Sequence, residues 1–129
     1  MELDEVIARS PIRREPGAYH VLRLTPNQPV TTTPYCVVRD AHETTVICRE
    51  DQLAQFSSQE RQGPFVLLQV RICVPFQAPG FLGRIAGTLG QRAISVLMVS
   101  TYSFDYVLVA SKDEQAALDA LRAIGFVIA

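Results

Sequence analysis

Residues 94–110 read ISVLMVSTYSFDYVLVA. Two apolar, β-branched runs flank a polar tip, Ser100-Thr101-Tyr102-Ser103-Phe104-Asp105, that is richer in hydroxyls than a plain hairpin requires. The runs are expected to be strands over 94–100 and 106–110. Working upstream, PFQAPGFLGRIAGTL (75–89) reads as a strand end, a tight turn and a helix start. Pro79 suits the first helical turn, where its missing N–H costs nothing. Leu82, Ile85, Ala86 and Leu89 recur at the spacing of a helix lying on a sheet, and Gly90 is a candidate stop. Before that turn, FVLLQVRICV (65–74) alternates as a strand. It sets Leu68, Val70, Ile72 and Val74 on one face and Gln69 and Arg71 on the other, until Pro75 stops it.

Downstream, Ser111-Lys112-Asp113-Glu114 has the spacing of a capping box. A helix with Ala117, Leu121 and Ile124 on its buried stripe follows, closed by Gly125, and Phe126 to Ile128 is a last short strand. The order is β-α-β-β-α-β, so the expected class is α+β with a ferredoxin-like second half. The two polar-tipped connections of such a unit can approach one another.

The first half is thinner. Leu3 to Ala8 is a helical turn ended by Pro11 and Pro16-Gly17, and YHVLRL (19–24) is a strand. TPNQPVTTTP (25–34) is a loop, and YCVVR and TTVIC form a hairpin about Asp40-Ala41-His42-Glu43. Residues 51–64 are expected to be a short helix and a connector. The expected organisation is an N-terminal extension (1–18), a reduced half (19–64) and a complete half (65–129).

At 129 residues, 48% apolar and 19% charged, the chain has the composition of a soluble globule with enough core to fold without staples. A net charge of −1 supplies no basic field for nucleic acid or a membrane surface. The acidic N-terminus is not a signal peptide and no apolar run spans a bilayer, so the expected location is cytoplasmic. Cys36, Cys48 and Cys73 show no CxxC or Cys/His spacing. They are expected to be buried free thiols in strands, with no metal site and no cofactor.

Residues 75–109, PFQAPGFLGRIAGTLGQRAISVLMVSTYSFDYVLV, resemble the ACT domain. More narrowly, they are similar to small proteins with two tandem ACT-type halves, related to aspartate-kinase regulatory regions and to arginine-sensing tandem ACT proteins. The strongest matches are the Gly-containing helix start, Ile94-Ser95-Val96, Ser100-Thr101-Tyr102, and Asp105-Tyr106 with Val107-Leu108-Val109. YCVVRDAHETTVIC extends the likeness faintly into residues 19–50. Ser103-Phe104 stand where the group commonly has an acid and a threonine, and Gln91-Arg92-Ala93 replaces a small-residue turn. The resemblance implies ferredoxin-like halves, ligand binding where ACT units meet, dimerisation, and often an amino-acid effector.

The residues themselves carry two readings of each candidate feature. Pro79, Gly80, Phe81 and Leu82 are either a tight strand-to-helix turn or a helix start whose free N–H groups hold a carboxylate. Ser100, Thr101, Tyr102, Ser103 and Asp105 are either a solvated hairpin or a set that orients a ligand, with Asp105 on its ammonium. Tyr102 and Phe104 either close over such a ligand or pack on the sheet edge. No nucleophile context, metal spacing or phosphate loop accompanies His20 and His42, so the chain is read as a non-enzyme. The basic, aromatic sheet face of RNA-recognition modules is missing. The expected function is non-catalytic binding of a small molecule, an amino acid by preference, in a regulatory or sensor homodimer. A ligand-free dimerisation or protein-interaction module is the alternative.

Overall fold

The computed structural model describes residues 1–57 and 60–129. Its elements begin with α1 (Leu3–Ala8), β1 (Ile12–Arg14), β2 (Tyr19–Leu24), β3 (Cys36–Arg39), β4 (Thr44–Arg49) and a 3-10 turn (Glu50–Gln55). They continue with β5 (Glu60–Val70), α2 (Phe81–Gly90), β6 (Leu97–Ser100), β7 (Asp105–Ala110), a 3-10 turn (Ser111–Asp113) and α3 (Glu114–Ala123). The chain divides into two compact units, residues 1–16 with 66–129, and residues 17–65. Part of the connector expected over 51–64 (residues 58 and 59) lies outside the described residues.

In the larger unit β7 runs between β5 and β6, and β6 pairs antiparallel with β7 from Leu97↔Leu108 to Ser100↔Asp105. The core is the apolar face of this sheet against two helices. Val66, Leu68, Val70, Val107 and Val109 meet Phe81, Ile85 and Leu89 of α2 and Ala117, Leu118, Ala120 and Leu121 of α3. This is the α+β, ferredoxin-like arrangement expected from the alternating patterns. From the N-terminal segment, Val6, Ile7 and Ile12 are buried in the same core.

Several local expectations are corrected here. The last strand of the pattern is not the C-terminal segment. Instead β1 lies antiparallel on β5, Ile12↔Val70 to Arg14↔Leu68, and residue 128 makes a single parallel bridge to Ile12. A buried Ile12 and the Arg14–Glu114 ion pair (2.9 Å) hold β1 there, both of them long-range contacts. That same pair takes the Glu114 carboxylate, so the capping box with Ser111 does not form. Ser111–Asp113 is a 3-10 turn instead, and a bidentate charge-assisted pair is stronger than a local cap.

β5 stops at Val70 rather than Val74, where the Arg71 amide turns to the Pro11 carbonyl and the Ile72 amide to the Val70 carbonyl. Its other end begins at Glu60 rather than Phe65. Pro79 lies outside α2, which is preceded by Gly80 at φ 83°. The buried stripe of α2 is Phe81, Ile85 and Leu89, whereas Leu82 and Ala86 are half-buried. Gly90 is helical, and the stop is Ala93 at φ 57°, after which the Ile94 amide returns to the Leu89 carbonyl. β6 therefore starts at Leu97, later than the apolar run suggests. Ile124 is half-buried, not part of the α3 core, while Gly125 at φ 115° follows that helix as expected. Only Cys48 is a buried thiol; Cys36 is half-buried and Cys73 is exposed beyond the end of β5.

The smaller unit is an antiparallel sheet in the order β3-β4-β2 with the start of β5 beside β2. Leu22, Leu24, Val46 and Cys48 form its core, with Val30, Leu53 and Phe56 packed against them. Its hairpin turn is the expected one, and Asp40 Oδ1 accepts from the His42 and Glu43 amides at 2.8 Å each.

Candidate functional site

In the larger unit, the segment entering α2 and the β6–β7 hairpin both line one cleft of about 410 Å³. That volume lies within the range of small-molecule sites. Pro79, Gly80, Phe81, Leu82, Ser100, Thr101, Tyr102, Ser103 and Asp105 all line it. Ile72, Pro75, Phe76, Ala78, Gly83 and Phe104 complete the lining. Sequence reasoning missed Phe76, whose only signal was an aromatic next to a strand-ending proline.

The helix side owes its shape to Gly80. A left-handed φ of 83° lets the chain reverse into α2 without Cβ strain. Phe81 is a core residue more than a wall of the cleft: it is buried and stacks edge-on with Phe126 at 5.7 Å. Its amide donates to the Ala78 carbonyl at 3.1 Å, and the Arg84 amide to the Gly80 carbonyl at 2.8 Å. Among the described residues, no backbone carbonyl takes the amides of Gly80, Leu82 and Gly83. A helix start with free donors attracts anions.

On the hairpin side, Asp105 is half-buried and its Oδ1 accepts from Ser100 Oγ at 2.7 Å. The Thr101 amide donates to the Phe104 carbonyl at 2.9 Å, and the Phe104 amide donates to Thr101 Oγ1 at 3.3 Å. The hydroxyls of Ser100 and Thr101 are therefore committed to the turn itself. Ser103 is exposed and, among the described residues, its hydroxyl has no protein partner. Asp105 is the one formally charged residue on the lining. The Arg71 guanidinium lies 4.9 Å from the centre of the Phe104 ring, a cation–π contact. Phe76 and Tyr102 meet edge to face at 5.2 Å, and both are largely exposed.

The histidines belong to the smaller unit. His42 is exposed in the β3–β4 turn, and His20 is buried with Nε2 3.0 Å from Glu50 Oε1. Among the described residues no group of three or more His, Cys, Asp or Glu side chains is placed to hold a metal, and no helix is long and apolar enough to cross a membrane.

The model of the ACT domain matches residues 62–123. Among solved structures, the chain is similar to a protein of unknown function from Vibrio cholerae described as a possible transport protein. Identity there is 19%, with 96% of each chain covered and a TM-score of 0.83. It is also similar to a protein from Agrobacterium tumefaciens, at 20% identity over 93% of this chain and 92% of that one, with a TM-score of 0.78. The regulatory subunit of aspartate kinase from Thermus flavus shares the fold at 9% identity, 88% and 96% coverage and a TM-score of 0.66. No curated protein matches the sequence. Residues 62–123 of this chain match the ACT domain, and the chain shares the fold of the regulatory subunit of aspartate kinase.

Proposed function

We propose that this protein is a non-catalytic regulatory protein that binds a free amino acid reversibly in the cleft between the start of α2 and the β6–β7 hairpin. One observation carries the reading: residues with free helix-start amides and a lone carboxylate line the same small cleft. A zwitterion matches that arrangement, with its carboxylate on the Leu82 and Gly83 amides and its ammonium on Asp105. Ser103 orients it, and Ser100 holds the Asp105 carboxylate in place. The regulatory role of the aspartate-kinase subunit with the same fold supports the reading.

On this reading residues 19–64 are a reduced ACT-like half and the protein works as a homodimer. Ligand binding then favours one packing of halves or subunits by mass action. A thermal-shift screen with each of the twenty amino acids tests it. The expected result is a stabilisation that Asp105→Ala abolishes; no shift at millimolar concentration for any of them refutes it. A pure dimerisation module is the second reading, favoured by Leu97, 42% exposed on the edge strand β6. A dimer that forms without ligand and ignores every amino acid supports that reading instead.

A further inference from the structure

The most exposed aromatic side chains of the described chain are Phe76, at 80%, and Tyr102, at 82%. They come from different elements, the β5–α2 connection and the tip of the β6–β7 hairpin, yet their rings meet edge to face at 5.2 Å and 65°. Phe76 reaches this position from a left-handed backbone, φ 66°. Both line the cleft that also contains Asp105. An aromatic pair this open leaves apolar surface available for a ligand to cover.

We infer that Phe76 and Tyr102 are the specificity wall of the cleft and that it selects neutral amino acids with apolar or aromatic side chains. The inference rests on reading the cleft as an amino-acid site. Charge on the lining decides the class. Once Asp105 holds the α-ammonium, no second carboxylate remains for a lysine or arginine side chain. An acidic side chain meets no cationic residue on the lining and one carboxylate, Asp105. Either ionic side chain would lose water without gaining a partner, whereas Ile72, Pro75 and Leu82 continue the apolar surface begun by the aromatic pair.

Calorimetric titration of the full chain with glycine, L-leucine, L-phenylalanine, L-lysine and L-glutamate tests this. Leucine and phenylalanine are expected to bind at least about tenfold more tightly than the other three, the discrimination that a small apolar pocket supplies. The variant Phe76→Ala/Tyr102→Ala should bring the affinities of leucine and phenylalanine close to that of glycine. Should that variant unfold, Tyr102→Ser alone, at an exposed tip, gives the same comparison with a smaller loss. Lysine or glutamate binding as tightly as leucine overturns the inference while leaving the amino-acid reading intact. So does a preference that survives the variants, including the case where they dissociate a dimer and the pair therefore covers a second copy. Binding of none of the five, glycine included, overturns both.

Discussion

Replacing Gly80 by alanine separates the turn from the site. Gly80 sits at φ 83° and ψ −1°, and an added Cβ would meet nothing closer than Leu3 Cδ2 at 3.7 Å. That is ordinary van der Waals contact, so no clash contributes and the cost is conformational. A left-handed L-residue is strained by about 1–2 kcal/mol, while alanine's less flexible unfolded chain returns about 0.5–1 kcal/mol. The net expectation is a loss of about 0–1.5 kcal/mol. Interpolating size trends gives a Tm lower by a few degrees, at roughly 3–5 °C per kcal/mol. Urea unfolding of both proteins, followed by circular dichroism, measures the difference as a shift in midpoint at constant slope. A loss above about 3 kcal/mol, or a gain in stability, would show that the backbone argument for this turn is wrong. Because the variant stays folded, amino-acid binding can be measured on it directly. Loss of binding then reports a ligand that approaches the Gly80 backbone closely.

Other positions give independent checks. Ala93→Gly relieves the left-handed alanine that stops α2 at an exposed site, and is expected to stabilise by about 0.5–1 kcal/mol in the same urea assay. Asp105→Asn keeps an oxygen for Ser100 but removes the charge, so calorimetry should show amino-acid affinity falling at least about tenfold, the weight of a charged hydrogen bond. Unchanged affinity would remove Asp105 from the ammonium site. For the thiols, Ellman titration of the native protein should modify exposed Cys73 first and reach Cys48 only on unfolding. Burial pushes the Cys36 thiol up; burial, then Asp51, pushes up that of Cys48 against a smaller opposing effect of Arg49. The unfolded chain therefore gives up these protons first as pH rises past 9.0, and folding stability, full below that value, declines above it. Urea midpoints across that range should fall, and less steeply in Cys36→Ala/Cys48→Ala.

What the sequence determined by itself was everything carried by local periodicity. The apolar alternation of 65–70 and 106–110, the helical recurrence through Ile85 and Leu89, and the turn residues Asp40, Gly80 and Gly125 act within a few positions of the chain. They were enough to place most of the elements, the α+β class and the two connections whose residues line one cleft. Tertiary structure decided what depends on contacts distant in the chain. β1 was illegible because three residues make no pattern, and it holds its place through Ile12 in the core and Arg14 on Glu114, a hundred residues away. That same contact withdrew Glu114 from its local cap. Which amides and hydroxyls remain free in the cleft was likewise settled by competing hydrogen bonds, Phe81 to Ala78 and Thr101 with Phe104, that residue identity leaves unspecified. Phe76 lines the same cleft and meets Tyr102 there, a contact distant in the chain. Periodicity encodes which face of an element is apolar, whereas the partner of a polar group is chosen by geometry after the chain has folded.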